Sequence, residues 1–174
     1  MKFVPAWVWD QQTDQFIRST VKETPLLHAG CGASTFGDIR IDKFKTDAFF
    51  PIDARADWNA LPFKDDAFGA VIMDPPWKVA AMLEIATAYK EALRVAPILY
   101  SYAPFLWKSQ NVEVEAIWVR VAPGVHHPVM LTKYVRNGRS QPPSSNSCMK
   151  DADSDDRQNR TVATGSVPNR VVVR

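Results

Sequence analysis

The sequence predicts an α/β fold built on a mostly parallel sheet, with an antiparallel C-terminal strand pair and shortened helices. Three observations predict it. Short apolar runs that end in glycine or an acid alternate with amphipathic stretches over residues 13–107. Two further runs, residues 112–123 and 127–138, are joined through GVHH and read as two more strands, a terminal antiparallel pair. The links between the early runs are very short, which leaves little room for crossover helices.

In order along the chain, FVPAWVW (3–9) reads as an aromatic extended segment and TDQFIRSTVKE (13–23) as a short helix capped by Thr13 or Asp14. PLLHAGCG (25–32) is a buried strand stopped by glycines, and GDIRIDKF (37–44) a second strand whose alternation ends at Asp42. Only ASTF (33–36) lies between them, too few residues for a crossover helix. DAFFPIDA (47–54) is a third apolar run and GAVIMD (69–74) the fourth strand. WKVAAMLEIATAYKEALRV (77–95) places Val79, Met82, Leu83, Ala86, Tyr89 and Leu93 at helical spacing. APILYSYAPFLW (96–107) follows as the fifth strand.

The chain has 174 residues, 46% of them apolar, enough for one core. A single domain over residues 1–136 is expected, followed by a polar, mixed-charge tail over 137–174 that should be disordered. The VVVR that closes the tail has the composition of an edge strand. Of the net charge of +2, all falls in that tail, so the body is neutral. That balance weighs against unaided nucleic-acid binding without excluding it. Two cysteines, Cys31 and Cys148, do not make a disulfide framework, and a reducing compartment fits. With neither a secretory h-region nor a run of 18 apolar residues, a cytoplasmic protein without membrane contact is expected.

Three features carry chemistry. The turn after the first strand, LLHAGCG, has glycines that permit positive φ and close approach of a ligand to the backbone. In open α/β sheets such a turn sits at the carboxyl edge, where ligands bind. Asp42 ends the next strand ten residues after Gly32, where an acid can bind the ribose hydroxyls of a nucleoside cofactor. The fourth strand ends in DPPW, residues 74–77, an acid followed by two rigid residues and a large ring. His28 precedes the glycine turn within a strand and also reads as a structural histidine. His126 and His127 lack a neighbouring acid or cysteine cluster, so no metal site is expected.

In these motifs the chain resembles the class I S-adenosylmethionine-dependent methyltransferases, over about residues 24–103. LLHAGCG is similar to their motif I, IRID to the strand ending in the ribose-binding acid, and LPFKDDAFGAVIMD to the segment leading into motif IV. Two departures stand out: Gly69 replaces an acid usual in the family, and the first crossover helix is nearly absent. The resemblance implies a Rossmann-like methyltransferase sheet and S-adenosylmethionine as cofactor, held by His28, Ala29, Gly30, Cys31, Gly32, Asp42 and Asp74. It also implies an adenine contact from Asp53 or Asp57, with Trp58 either packing on that adenine or filling the surface. The apolar run before Asp53 favours the first, and the spacing to Leu61 the second.

DPPW is similar to the motif of enzymes that methylate exocyclic amines of nucleic acid bases, chiefly adenine N6. Such an amine is a poor nucleophile because its lone pair is delocalised into the ring. Asp74 and the Pro75 carbonyl, by accepting its N–H bonds, would aim that lone pair at the methyl donor, and positioning of this kind contributes roughly 7–11 kcal/mol. Pro75 and Pro76 stiffen the turn. Trp77 would stack on the extruded base for about 1–3 kcal/mol. The catalytic set expected is therefore Asp74, Pro75, Pro76 and Trp77, acting on DNA or RNA, with target specificity low or supplied by a partner protein; the alternatives are a methyltransferase for a small molecule or protein amide, or a non-catalytic binding protein on the same fold. Lys78 and Lys108 either touch phosphates or are solvated. Tyr102, Phe105 and Trp107 either line the pocket or fill the flank of the sheet.

Overall fold

The computed structural model describes residues 9–43, 52–75, 82–121 and 128–138. Its elements are α1 (Gln11–Thr20), β1 (Leu26–Ala29), β2 (Ile39–Asp42), β3 (Ala54–Arg55), β4 (Ala70–Met73), α2 (Met82–Val95), β5 (Ile98–Ala103), β6 (Val112–Arg120) and β7 (Val129–Arg136). The strands form one seven-stranded sheet in the order β3-β2-β1-β4-β5-β7-β6. The first five are mutually parallel. β7 runs antiparallel to both β5 and β6 and lies between them. The architecture is a Rossmann-like α/β sheet, mostly parallel, with the expected antiparallel C-terminal pair. No helix separates β1 from β2 or β3 from β4 among the described residues.

Each face of the sheet has its own core. Leu27, Ala29, Ile41, Val71, Met73, Leu99 and Tyr134 face α2, and Leu26, Ala70, Ile72, Tyr100, Val129 and Leu131 face Ile17 and Val21 at α1. Strands buried on both faces read as continuous apolar runs, which is why β1 and β4 stood out. On α2 the buried stripe is Ile85, Ala88, Tyr89, Ala92 and Leu93. Of the expected positions Tyr89 and Leu93 are buried and Ala86 is half buried, while the side chains of Val79, Met82 and Leu83 lie outside the described residues.

Helix α1 starts earlier than the sequence suggested. Its cap is Asp10, whose carboxylate accepts from the amides of Gln12 and Thr13, rather than Thr13 or Asp14. Two orphan amides at the helix start are satisfied by that one side chain. Thr13 then donates its hydroxyl to Asp10, and Asp14 pairs with Arg18 one turn on. Gly69, one of the two departures from the family pattern, also has a steric cause. A Cβ there would lie 2.6 Å from the carbonyl oxygen of Thr24, so a side chain would force the backbone to shift.

The tail over 137–174 lies outside the described residues except at Asn137 and Gly138, as do Pro76, Trp77, Lys78, Val79, His126, His127 and Cys148.

Candidate active site

The strand order reverses at β1: the chain passes from β1 outward to β2 and β3, then returns to β4 on the other side. Open α/β sheets bind ligands in the crevice at the carboxyl ends of the strands flanking such a reversal. Here those ends are the 30–32 turn after β1 and Asp74–Pro75 after β4. Ala29 pairs with Met73, so Gly30 and Asp74 leave the sheet side by side. Ala29 pairs with Ile41 on its other side, which brings Asp42 to the same edge. Topology alone therefore gathers the glycine turn, the β2 acid and the β4 acid along one line.

Hydrogen bonds tie the first two together. The amides of Gly30 and Cys31 both donate to the Ile41 carbonyl, at 2.9 and 3.1 Å, and the Gly32 amide donates to Asp42 Oδ2 at 3.0 Å. The turn needs glycine: Gly30 and Gly32 have φ of +72° and +52°. A Cβ on Gly30 would lie 2.7 Å from the Trp58 ring, so the half-buried indole lies directly over the turn. Asp42 thus stands directly beside the glycine turn, anchored to it through the Gly32 amide. A nucleoside-bearing cofactor fits this donor set: a tight glycine backbone, an acid beside it and a flat ring above it.

β3 begins after Asp53, so Asp53 stands at its amino end and Asp57 just beyond its carboxyl end. Asp53 is exposed and accepts from the Arg40 amide at 2.8 Å and from its guanidinium at 3.2 Å, bonds that lower its pKa. Asp57 accepts from the Asn59 amide at 3.0 Å and pairs with Lys43 at 3.0 Å, and these hold its carboxyl below the usual range. Of the two, Asp57 is at the edge that carries Asp42. Cys31 is buried, and its thiol is pushed up to about 11 by burial, with the charge of Asp42 adding to the effect. A thiol at that value is neutral at physiological pH.

Asp74 is buried, at 7% exposure, and Trp9 reaches it from the start of the described chain. The indole Nε1–H donates to Asp74 Oδ2 at 2.8 Å. The Trp9 ring stacks on His28, centroids 4.9 Å apart and planes 13° from parallel. His28 is fully buried, its Nδ1–H pointing at the Phe36 carbonyl at 3.0 Å, and burial lowers its pKa to about 4. It is a neutral ring on the α1 side of the sheet. Burial raises the phenols of Tyr89 and Tyr102, with a smaller contribution from the nearby Asp74 charge, so both stay protonated.

The remaining aromatics divide. Tyr102 is buried against Trp9 at the edge of the site, whereas Phe105 and Trp107 pack on the α2 face. Trp107 meets Tyr89 edge to face and donates its amide to the Tyr134 hydroxyl. Trp9 is the residue that sequence reasoning passed over. The only signal available was an aromatic immediately before a helix cap, a position that fixes how the chain enters a helix. Among the described residues no group of three or more His, Cys, Asp or Glu is placed to hold a metal ion, and no helix is long and apolar enough to cross a membrane.

No family model and no curated protein matches the sequence. Among solved structures the fold is similar to the crystal structure of the PH0226 protein from Pyrococcus horikoshii OT3, with 15% sequence identity and a TM-score of 0.45, over 72% of this chain and 87% of that one.

Proposed function

We propose that this chain is an S-adenosylmethionine-dependent methyltransferase acting on an exocyclic amino nitrogen of a nucleic acid base, adenine N6 foremost. The observation that carries the proposal is a buried carboxylate, Asp74, directly before Pro75 and beside the glycine turn at the reversal point of the sheet. Asp42 would hold the ribose hydroxyls of the cofactor, the 30–32 turn its amino acid end, and Asp57 with Trp58 its adenine. When bound, the cofactor supplies an electrophilic methyl group on a sulfonium.

The protein's part is positioning. Asp74 and the Pro75 carbonyl accept the two N–H bonds of the amine, which draws the nitrogen out of conjugation and turns its lone pair toward the methyl. The Asp74 carboxylate would stabilise the positive charge that grows on that nitrogen and accept the proton the nitrogen must give up once it is methylated. In this reading Pro76 keeps the turn rigid and Trp77 stacks on the base. In this reading target specificity is low or supplied by a partner protein, because the body carries no net positive charge.

The test is incubation of the full chain with labelled S-adenosylmethionine and parallel pools of DNA, RNA and protein, followed by identification of the modified nucleoside. N6-methyladenine is expected. Asp74→Ala should lower transfer by about a hundredfold or more, the scale of losing one preorganised partner, and weaken cofactor binding by calorimetry far less, since Asp74 is only one of several residues expected to hold the cofactor. Normal transfer by that variant would overturn the mechanism. The neutral body favours a second acceptor, a protein amide, and label found only in the protein pool would establish it in place of adenine.

A further inference from the structure

We infer that Trp9 is a positioning residue for Asp74, its indole N–H holding the carboxylate in one orientation at the carboxyl end of β4. The catalytic consequence rests on the methyl-transfer reading above, whereas the positioning itself does not.

The contact joins residues 65 positions apart and is buried at both ends. Asp10, the next residue, caps α1, so the cap that starts the helix also fixes where Trp9 leaves it. The ring is held from three sides: stacked on His28 and edge-on to Phe36 and Tyr102, each of the latter with centroids 6.4 Å away. His28 cannot swing away, because its Nδ1–H is bonded to the Phe36 carbonyl. The N–H donor thus approaches Asp74 along a single direction. A buried indole N–H takes an acceptor, and the acceptor here is the acid that ends β4. A carboxylate beside a proline turn has two oxygens and a rotatable bond, and a donor fixed on one oxygen decides which lone pairs face the crevice.

Trp9→Phe separates the two roles, since it keeps the ring and removes the donor. The first readout is titration of the Asp74 side-chain carboxyl carbon by NMR, its resonance identified by disappearance in Asp74→Asn. Loss of a bond to the charged form raises a carboxyl pKa, so the midpoint in Trp9→Phe is expected above that of the wild type. Among the described residues the titratable groups facing Asp74 include Tyr89 from α2, Tyr102 from β5 and, through Trp9, His28 from β1. The phenols do not titrate in this range and His28 does, which is why the carboxyl carbon itself is followed.

The second readout is kinetic. In Trp9→Phe, kcat for methyl transfer to a polynucleotide is expected to fall about tenfold or more, the consequence of losing one hydrogen bond to a charged group, with KM and cofactor affinity unchanged. A third keeps the wild-type side chain: exchange of the Trp9 indole proton should be about tenfold or more faster in Asp74→Ala than in wild type. Equal carboxyl midpoints or equal exchange rates overturn the proposal, as does a loss of kcat matched by losses in cofactor affinity and melting temperature. If the wild type transfers no methyl group, the methyl-transfer reading falls alone, and midpoint and exchange decide the positioning.

Discussion

A methyl group on residue 30 would sit 2.7 Å from the Trp58 ring on a backbone at φ +72°, whereas one on residue 69 would meet the Thr24 carbonyl oxygen at 2.6 Å. What must move differs between them. A half-buried indole can slide, but a carbonyl between α1 and β1 carries the chain with it. Gly30→Ala should therefore cost about 1–2 kcal/mol of stability, the penalty of a side chain in the left-handed region, and displace Trp58 from its place over the turn. Calorimetry with S-adenosylmethionine should then show binding weaker by roughly tenfold, the value of one stacking contact. Gly69→Ala should cost about 1–3 kcal/mol, as overpacking does, and leave that affinity at the wild-type value. Trp58→Ala should weaken binding as Gly30→Ala does, and the double variant Gly30→Ala/Trp58→Ala no further, because the ring that residue 30 pushes is already gone. Additive losses would remove Trp58 from the cofactor site.

Between β3 and β4 the chain has no helix of its own among the described residues, so its backbone groups are satisfied by side chains of α2. Arg94 donates to the carbonyls of Leu61 at 3.0 Å and Phe63 at 2.8 Å and to the carboxylates of Asp65 and Glu91, while Glu91 accepts from the Leu61 amide at 3.0 Å. Arg94→Ala should lower stability by about 2 kcal/mol in urea unfolding, the worth of bonds to a charged group. Arg94→Lys should recover little of it, since an ammonium cannot reproduce the fork; full recovery would reduce the contact to simple charge. None of this could be read from LPFKDD, whose partners lie about 30 residues on. The strands were legible because β1 and β4 are buried on both faces, and the line of Gly30, Asp42 and Asp74 follows once strand order is known. Asp53 and Asp57 stayed ambiguous because the apolar residues at 47–52 suggested a strand ending at Asp53, whereas β3 is only Ala54–Arg55 and starts after it. Spacing to Leu61 counts backwards from a segment anchored on α2 and points to Asp57, the acid beyond the carboxyl end of β3. Trp9 was illegible for the same reason as Arg94: a side chain that crosses between elements leaves no periodic trace.

His28 stands on a central strand of the sheet, and the pH response of the whole fold follows from it. Fully buried, it is neutral in the folded protein down to about pH 4, against 6.5 when exposed. Between those values the unfolded chain binds the extra proton, so stability is complete above pH 6.5 and falls as pH drops toward 4. The shift corresponds to about 3 kcal/mol. The carboxyls of Asp10, Glu23, Asp53, Asp57 and Glu91 are all lowered by their hydrogen bonds, so their contributions are present above the ordinary carboxylate range and disappear only below it. Acid destabilisation therefore has two windows: the upper belongs to His28 and the lower to the carboxylates. Urea midpoints measured from pH 7.5 to 3 (about one unit apart is sufficient) should decline in the wild type from near pH 6.5, with a second fall at lower pH. His28→Leu, although less stable overall, should be flatter through the upper window and keep the lower fall, which separates His28 from the other two histidines. Equal slopes in the two proteins through the upper window would mean that the imidazole beneath Trp9 is hydrated and protonates in the folded state.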